Sequence, residues 1–284
     1  MHAISQPGTI PSPFVETIFA ANRAYGKIAL TVKASDGVTR RAHVREEGPL
    51  RVRCPGPPAQ ELQAVVVNTA GGVAGGDRLA LEVAVQRGAH LVIGTAAAEK
   101  IYRSVDAAAV IDVHLNVGAG GSLAWLPQET ILFDQARLAR AIDVELADDA
   151  RLVLVEALVF GRSGMGEIVR TGQLSDRWRI RRRGRIVHAE ALRFDGEIAA
   201  KLAQGAVANG GLAVATVLIL PGDETMAAAV RALAPRLRSE AAASAWKGMM
   251  AARLCAADGA ALRKDLVLIL SAIGSVSLPR LWLN

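Results

Sequence analysis

Three stretches of this chain can be laid over one another. Residues 85–91 read VQRGAHL, residues 117–123 VGAGGSL and residues 146–152 LADDARL. An alternating apolar run precedes each one: Leu81, Val83 and Val85, then Ile111, Val113, Leu115 and Val117, then Ile142, Val144 and Leu146. Apolar residues resume after each one, at Leu91 and Ile93, at Leu123 and Trp125, and at Leu152 and Leu154. The spacing is 32 residues and then 29. A strand–turn–strand unit of this size cannot bury its apolar face alone, whereas stacked copies bury it against each other. The expected fold is therefore mainly β, a β-helix-like stack of strand coils with like residues in register. A β-sandwich explains the pattern less well, because its turns need not recur with matched chemistry. Further along, KIYRS, ILFDQ and LVFGR place Tyr102, Phe133 and Phe160 at a similar phase.

The rest of the chain is read around this repeat. Residues 1–22 are aperiodic and rich in Pro and Ser, which predicts a flexible N-terminal arm. Residues 23–284 read as one domain, β-rich over 23–195 and mixed over 196–284. Period-2 alternation begins near Lys27, and Asp36-Gly37 marks a hairpin turn. A second hairpin, RWRIRRRGRIVHAEALRF, puts Trp178 and Ile180 on one face and turns near Arg183-Gly184. Two to three helices are expected in the C-terminal third. One is predicted over 195–211. A second, over 222–239, has an Asp cap, an acidic first turn and a basic last turn, with Pro235 limiting it. The third, over 258–274, carries Leu262, Leu266, Ile269 and Leu270 on one stripe. Between the last two, SAWKGMMAARLCAA reads as strand.

Composition narrows the class. Hydrophobic residues make up 51% of the chain and aromatics only 4%, so the core is built from Ala, Val, Leu and Ile. No run of uncharged apolar residues is long enough for a membrane-spanning helix. MHAISQPGTIPSP lacks the basic and apolar regions of a signal peptide. Cys54 and Cys255 are expected to be free thiols of a cytoplasmic protein.

NTAGGVAGGDRL, residues 68–79, has four glycines in six positions. A phosphate-cradling P-loop needs Lys-Ser/Thr after its last glycine, and Asp77-Arg78-Leu79 stands there instead. A dinucleotide fingerprint needs a helix next, and a period-2 run follows. The glycines are better read as a sharp turn between strands. The 5 histidines are scattered, with no HxH, HxxxH or CxxC, which disfavours a tight soft-ligand metal site. Glu129, Asp134, Glu156 and Glu167 are the carboxylates a hydrolase would call on, but no nucleophile elbow accompanies them. The net charge of +6 is densest in RWRIRRRGR, residues 177–185. That run suits a solvated edge strand first, then an acidic protein partner, and nucleic acid least.

NTAGGVAGGDRL, GAHLVIGTAAAEKIYRS, GGSLAWLPQETILFDQARL and GRSGMGE, in this order and spacing, resemble signature segments of the UreD (UreH) family of urease accessory proteins. The resemblance covers about residues 25–195, and DGAALRKDLVLILSAI with LPRLW resembles the family's ending. It implies a cytoplasmic chaperone rather than an enzyme, with no tightly bound cofactor. Such a protein binds UreF, which recruits the GTPase UreG, and the assembly docks on apo-urease so that nickel enters the active site. A dimer within that complex is an added possibility. On this reading Asp77, Glu129, Asp134, Glu156 and Glu167 are candidates to line a nickel transit route. Leu262, Leu266, Ile269, Leu270 and Trp282 are candidates for the UreF surface. The competing classes are a carbohydrate-active enzyme on a β-helix, disfavoured by scarce aromatics, and a nucleic-acid binder using residues 177–185.

Overall fold

Val85, Val117 and Leu146 lie side by side in one sheet, and Leu91, Leu123 and Leu152 lie side by side in another. The three aligned segments therefore stack in the register the alignment implies, and all six side chains are buried. A computed structural model describes residues 23–283. The arm predicted over residues 1–22 lies outside the described residues.

The strands in chain order are β1 (Tyr25–Ser35), β2 (Val38–Glu47), β3 (Leu50–Arg53), β4 (Glu61–Asn68), β5 (Arg78–Val85), β6 (His90–Thr95), β7 (Glu99–Ile101), β8 (Ala109–Val117), β9 (Ser122–Leu126), β10 (Thr130–Leu132), β11 (Arg137–Leu146), β12 (Arg151–Phe160), β13 (Thr171–Arg182) and β14 (Arg185–Glu197). Helix α1 (Ile198–Leu202) follows, then β15 (Ala213–Leu220), α2 (Glu224–Ala232), β16 (Glu240–Trp246), β17 (Met249–Ala256) and α3 (Gly259–Ile273). One sheet, here sheet A, runs β14-β13-β11-β8-β5-β1-β2. Sheet B runs β16-β17-β15-β12-β9-β6-β4-β3. The strands β1, β5, β8, β11 and β13 are parallel to one another, as are β4, β6, β9 and β12. Each coil crosses from sheet A to sheet B through a short corner. The corners bond to each other: Gly88 N donates to Ala119 O at 2.9 Å, and Gly120 N to Asp149 Oδ1 at 2.9 Å.

The stack begins one coil earlier than the aligned segments. Val32 pairs with Val85 and Leu62 with Leu91, so β1 and β4 form a first coil interrupted by the β2–β3 excursion. Short third strands complete the coils, with Ile101, Leu132 and Phe160 in one row. Phe160 is thus one position out of the expected phase. Tyr102 and Phe133 do meet, edge to face at 5.2 Å, but Phe160 turns inward beside Leu132. A one-residue offset in a strand reverses the face, which is why apolar similarity alone placed it on the wrong side.

Helical expectations fare unevenly. The third helix forms as expected, with Asp258 accepting from Ala261 N at 2.8 Å and Gly274 ending it at φ 65°. The second is shorter than expected: it runs from the Asp223 cap to Ala232, and Pro235 falls in a separate turn. The helix predicted over 195–211 shrinks to α1. Asp195, Gly196 and Glu197 pair with β13 instead, and only Ile198 and Leu202 offer an apolar stripe to bury. Among the described residues no helix is long and apolar enough to cross a membrane.

Two apolar clusters hold the molecule together. The larger fills the space between the sheets. The smaller lies on the outer face of sheet B beneath α2 and α3. Each fully buried Leu or Val side chain contributes about 1.5–3 kcal/mol.

Candidate functional site

Alternation in β11 turns Leu138, Arg140, Ile142, Val144 and Leu146 inward, so a guanidinium enters the space between the sheets. At the same register the preceding coils place Leu79 and Ile111, and the following strand places Asp176. Arg140 Nε donates to Asp176 Oδ1 at 3.0 Å and Nη2 to Asp176 Oδ2 at 2.6 Å. Nη1 donates to Thr130 Oγ1 at 3.2 Å and to Glu156 Oε2. Trp125 Nε1 donates to the other oxygen of Glu156 at 2.7 Å. None of these five residues is more than 6% exposed.

Electrostatics follow from this geometry. Burial alone would lower the Arg140 pKa, and the adjoining carboxylates of Asp176 and Glu156 outweigh it and raise it. Arg140 stays charged throughout. Burial pushes the Glu156 carboxyl up, against the pull of Arg140. Asp176 holds the guanidinium in a two-pronged pair, so Glu156 shares a cation already engaged elsewhere. The cluster thus sets one fixed cation between two acids.

The charged interior opens at one end. Sheet A stops at β14, while sheet B continues through β15, β17 and β16. Between them lies a cleft of about 640 Å³ whose lining includes Glu190, Thr216, Glu240, Arg253 and Cys255. A small cavity of about 30 Å³ lies between this cleft and the cluster, lined in part by Glu156, Asp176, Glu190 and Thr216. That is room for about one water molecule. Glu190 links the two spaces: it accepts from Thr216 Oγ1 at 3.2 Å, pairs with Arg253 Nη2 at 3.1 Å and lies 3.4 Å from His188 Nε2. Burial pushes the Glu190 carboxyl up, and the bonds from His188 and Arg253 outweigh that and hold it below its usual range.

Of the five acids singled out in the sequence, Glu156 alone lies in this interior. The other four fasten turns. Asp77 accepts from Ala24 N and from Ala74 N, each at 2.8 Å, closing the glycine loop before strand β5. Asp134 accepts from Arg170 N at 2.8 Å and Thr171 N at 3.1 Å. Glu167 pairs with Arg162 Nε at 2.7 Å. Glu129 pairs with Arg263 Nη1 at 3.1 Å, while Nη2 of the same arginine donates to Leu281 O at 2.5 Å. Glu129 therefore ties α3 and the C-terminal turn to the corner after β9.

Leu262, Leu266, Ile269, Leu270 and Trp282 are all buried against sheet B, and Trp282 Nε1 donates to Leu126 O at 3.0 Å. These side chains hold the helix and tail onto the sheet. Three of the six arginines in the basic run are paired within the chain: Arg177 and Arg181 with Asp143 at 3.1 and 3.0 Å, and Arg183 with Asp148. Cys54 and Cys255 are free.

A stack of parallel coils with a charged interior that opens at one end defines a β-solenoid scaffold. A profile described as UreD urease accessory protein matches residues 24–283. A urease accessory protein UreD 3 from Bradyrhizobium sp. strain BTAi1 is 51% identical over 274 residues, covering 96% of this chain and 99% of that protein. The urease accessory protein UreD of Rhodopseudomonas palustris strain CGA009 is 54% identical over 266 residues, covering 94% of this chain and 95% of that protein. The chain belongs to the UreD family of urease accessory proteins.

Proposed function

We propose that this protein is a chaperone for nickel insertion into apo-urease, acting in the cytoplasm as a scaffold with UreF and the GTPase UreG. It carries out no chemistry of its own in this role; nickel is its cargo. The observation that carries the reading is the end-to-end match to urease accessory proteins on a fold whose charged interior opens into a cleft. The route for nickel in transit runs from the cleft past Glu190 to the cavity shared with Glu156 and Asp176. Oxygen donors suit a cargo that must be released, because a soft sulfur or imidazole cage holds such ions too tightly. Asp77, Glu129, Asp134 and Glu167 fasten turns of the stack and lie outside this route.

Co-expression with urease, UreF and UreG tests this. Glu190→Gln is expected to lower the nickel content of purified urease several-fold while the complex still co-purifies. Wild-type nickel occupancy in that variant sinks the transit route. Full urease activation in cells lacking this chain sinks the accessory role itself.

A further inference from the structure

The first residues of four neighbouring parallel strands form a row that the charged interior does not use. Glu61 of β4 pairs in register with His90 of β6, His90 with Ser122 of β9, and Ser122 with Arg151 of β12. The next residue of each strand is Leu62, Leu91, Leu123 or Leu152, all buried between the sheets. Alternation therefore turns the row to the outer face of sheet B. There it floors a groove of about 560 Å³, with Pro221, Met226 and Val276 among its walls.

The chemistry along the row is ordered. Burial pushes the half-buried Glu61 carboxyl up. His90 Nδ1 lies 2.8 Å from Ser122 Oγ, which commits one ring nitrogen and leaves Nε2 free among the described residues. Arg151 is exposed at the far end. Charges of opposite sign, unpaired among the described residues, thus stand at the two ends of one groove.

Their separation selects a ligand. Neighbouring strands lie about 4.8 Å apart, so three spacings put the ends roughly 14 Å apart. An extended peptide rises about 3.4 Å per residue and turns every second side chain to one face, so residues i and i+4 also lie roughly 14 Å apart on one face. Residue i+2 then falls opposite the His90–Ser122 pair. A polyanion would meet Glu61, and a free amino acid is too short to reach both ends.

We infer that this groove binds an extended segment of a partner protein in which a basic and an acidic side chain stand four residues apart, with a hydroxyl-bearing residue midway. The basic side chain pairs with Glu61 and the acidic one with Arg151. His90 and Ser122 hydrogen-bond the residue between them. This docking role is independent of the nickel route.

Three labelled, end-blocked peptides test it against the full chain: Lys-Ala-Ser-Ala-Glu, Lys-Ala-Ser-Ala-Lys and Glu-Ala-Ser-Ala-Glu. Fluorescence anisotropy is expected to show the mixed peptide binding about tenfold more tightly than either like-charged one. Glu61→Lys is expected to move the preference to the doubly acidic peptide, and Arg151→Glu to the doubly basic one. The His90 ring nitrogen resonances are expected to shift on binding. Glu61→Gln, a milder change, is expected to abolish the preference for a lysine end. Equal affinities for all three peptides, no binding at millimolar peptide, or an order unchanged by the variants each overturn the inference.

Discussion

The coils built on β5 and β8 differ from the coil built on β11 in what they place at one interior register. The earlier coils put Leu79 and Ile111 there; the later one puts Arg140, with Asp176 beyond it. The strands pair in parallel and in register throughout, so the contrast at this position lies in the side chains. It teaches that parallel stacking sets where a residue points and leaves open what the interior holds. In the earlier coils each buried side chain adds stability by leaving water. In the later coil the buried charges are stable only as a set, because each desolvated ion needs the others.

Removing one member of that set is expected to produce the largest effect. Arg140→Leu leaves two buried acids without their cation and should cost about 3–5 kcal/mol by denaturant unfolding. Adding Glu156→Gln and Asp176→Asn should recover most of that loss. A single substitution that costs less than its triple would break the comparison. In the aliphatic coils, Leu115→Ala should cost about 2–5 kcal/mol and depend little on its neighbours, since it removes contacts and leaves a cavity. Pairing it with Leu123→Ala and testing for additivity sharpens the point.

The smallest expected effect lies in the third strand of an earlier coil. Glu99 faces inward beside the glycine loop, where Asn68 Nδ2 donates to it at 3.1 Å. Burial pushes its carboxyl up to about 6, against the bond from Asn68. The folded state therefore holds the Glu99 proton more tightly than the unfolded chain does. That contribution is present below the unfolded carboxyl range and is lost as pH rises through about 6. Glu99→Gln is accordingly expected to stabilise the protein at pH 7 by up to about 2 kcal/mol, with the advantage gone at about pH 4. A thermal-unfolding difference independent of pH would show that Glu99 is not the group responsible.

Much of the stack was legible because a period-2 pattern with matched turns reports both strands and their register. Leu91, Leu123 and Leu152 line up in the sequence and in the sheet. The first coil was not legible, since the β2–β3 excursion separates β1 from β4 and hides their kinship with β5 and β6. Helix α3 was legible at both ends, through Asp258 and Gly274. Its apolar stripe reports burial before it reports partners, and sheet B covers it.

The charged interior was half legible. Leu138, Arg140, Ile142, Val144 and Leu146 share one phase, and that phase alone places Arg140 inside. Asp176 and Glu190 join it only through pairing of β13 with β11 and of β14 with β13. Local periodicity carries no record of such long-range partners. Turn acids such as Asp134 resemble Glu156 in composition, and only the fold separates a fastener from an interior group.

The repeating registry also makes this molecule a ruler. Along sheet A, β5, β8, β11, β13 and β14 follow one another at about 4.8 Å per step, so the glycine loop before β5 and the open mouth at β14 are held roughly 19 Å apart. Adding or deleting one whole turn of the stack would change that reach by a single increment and leave the contacts at either end untouched.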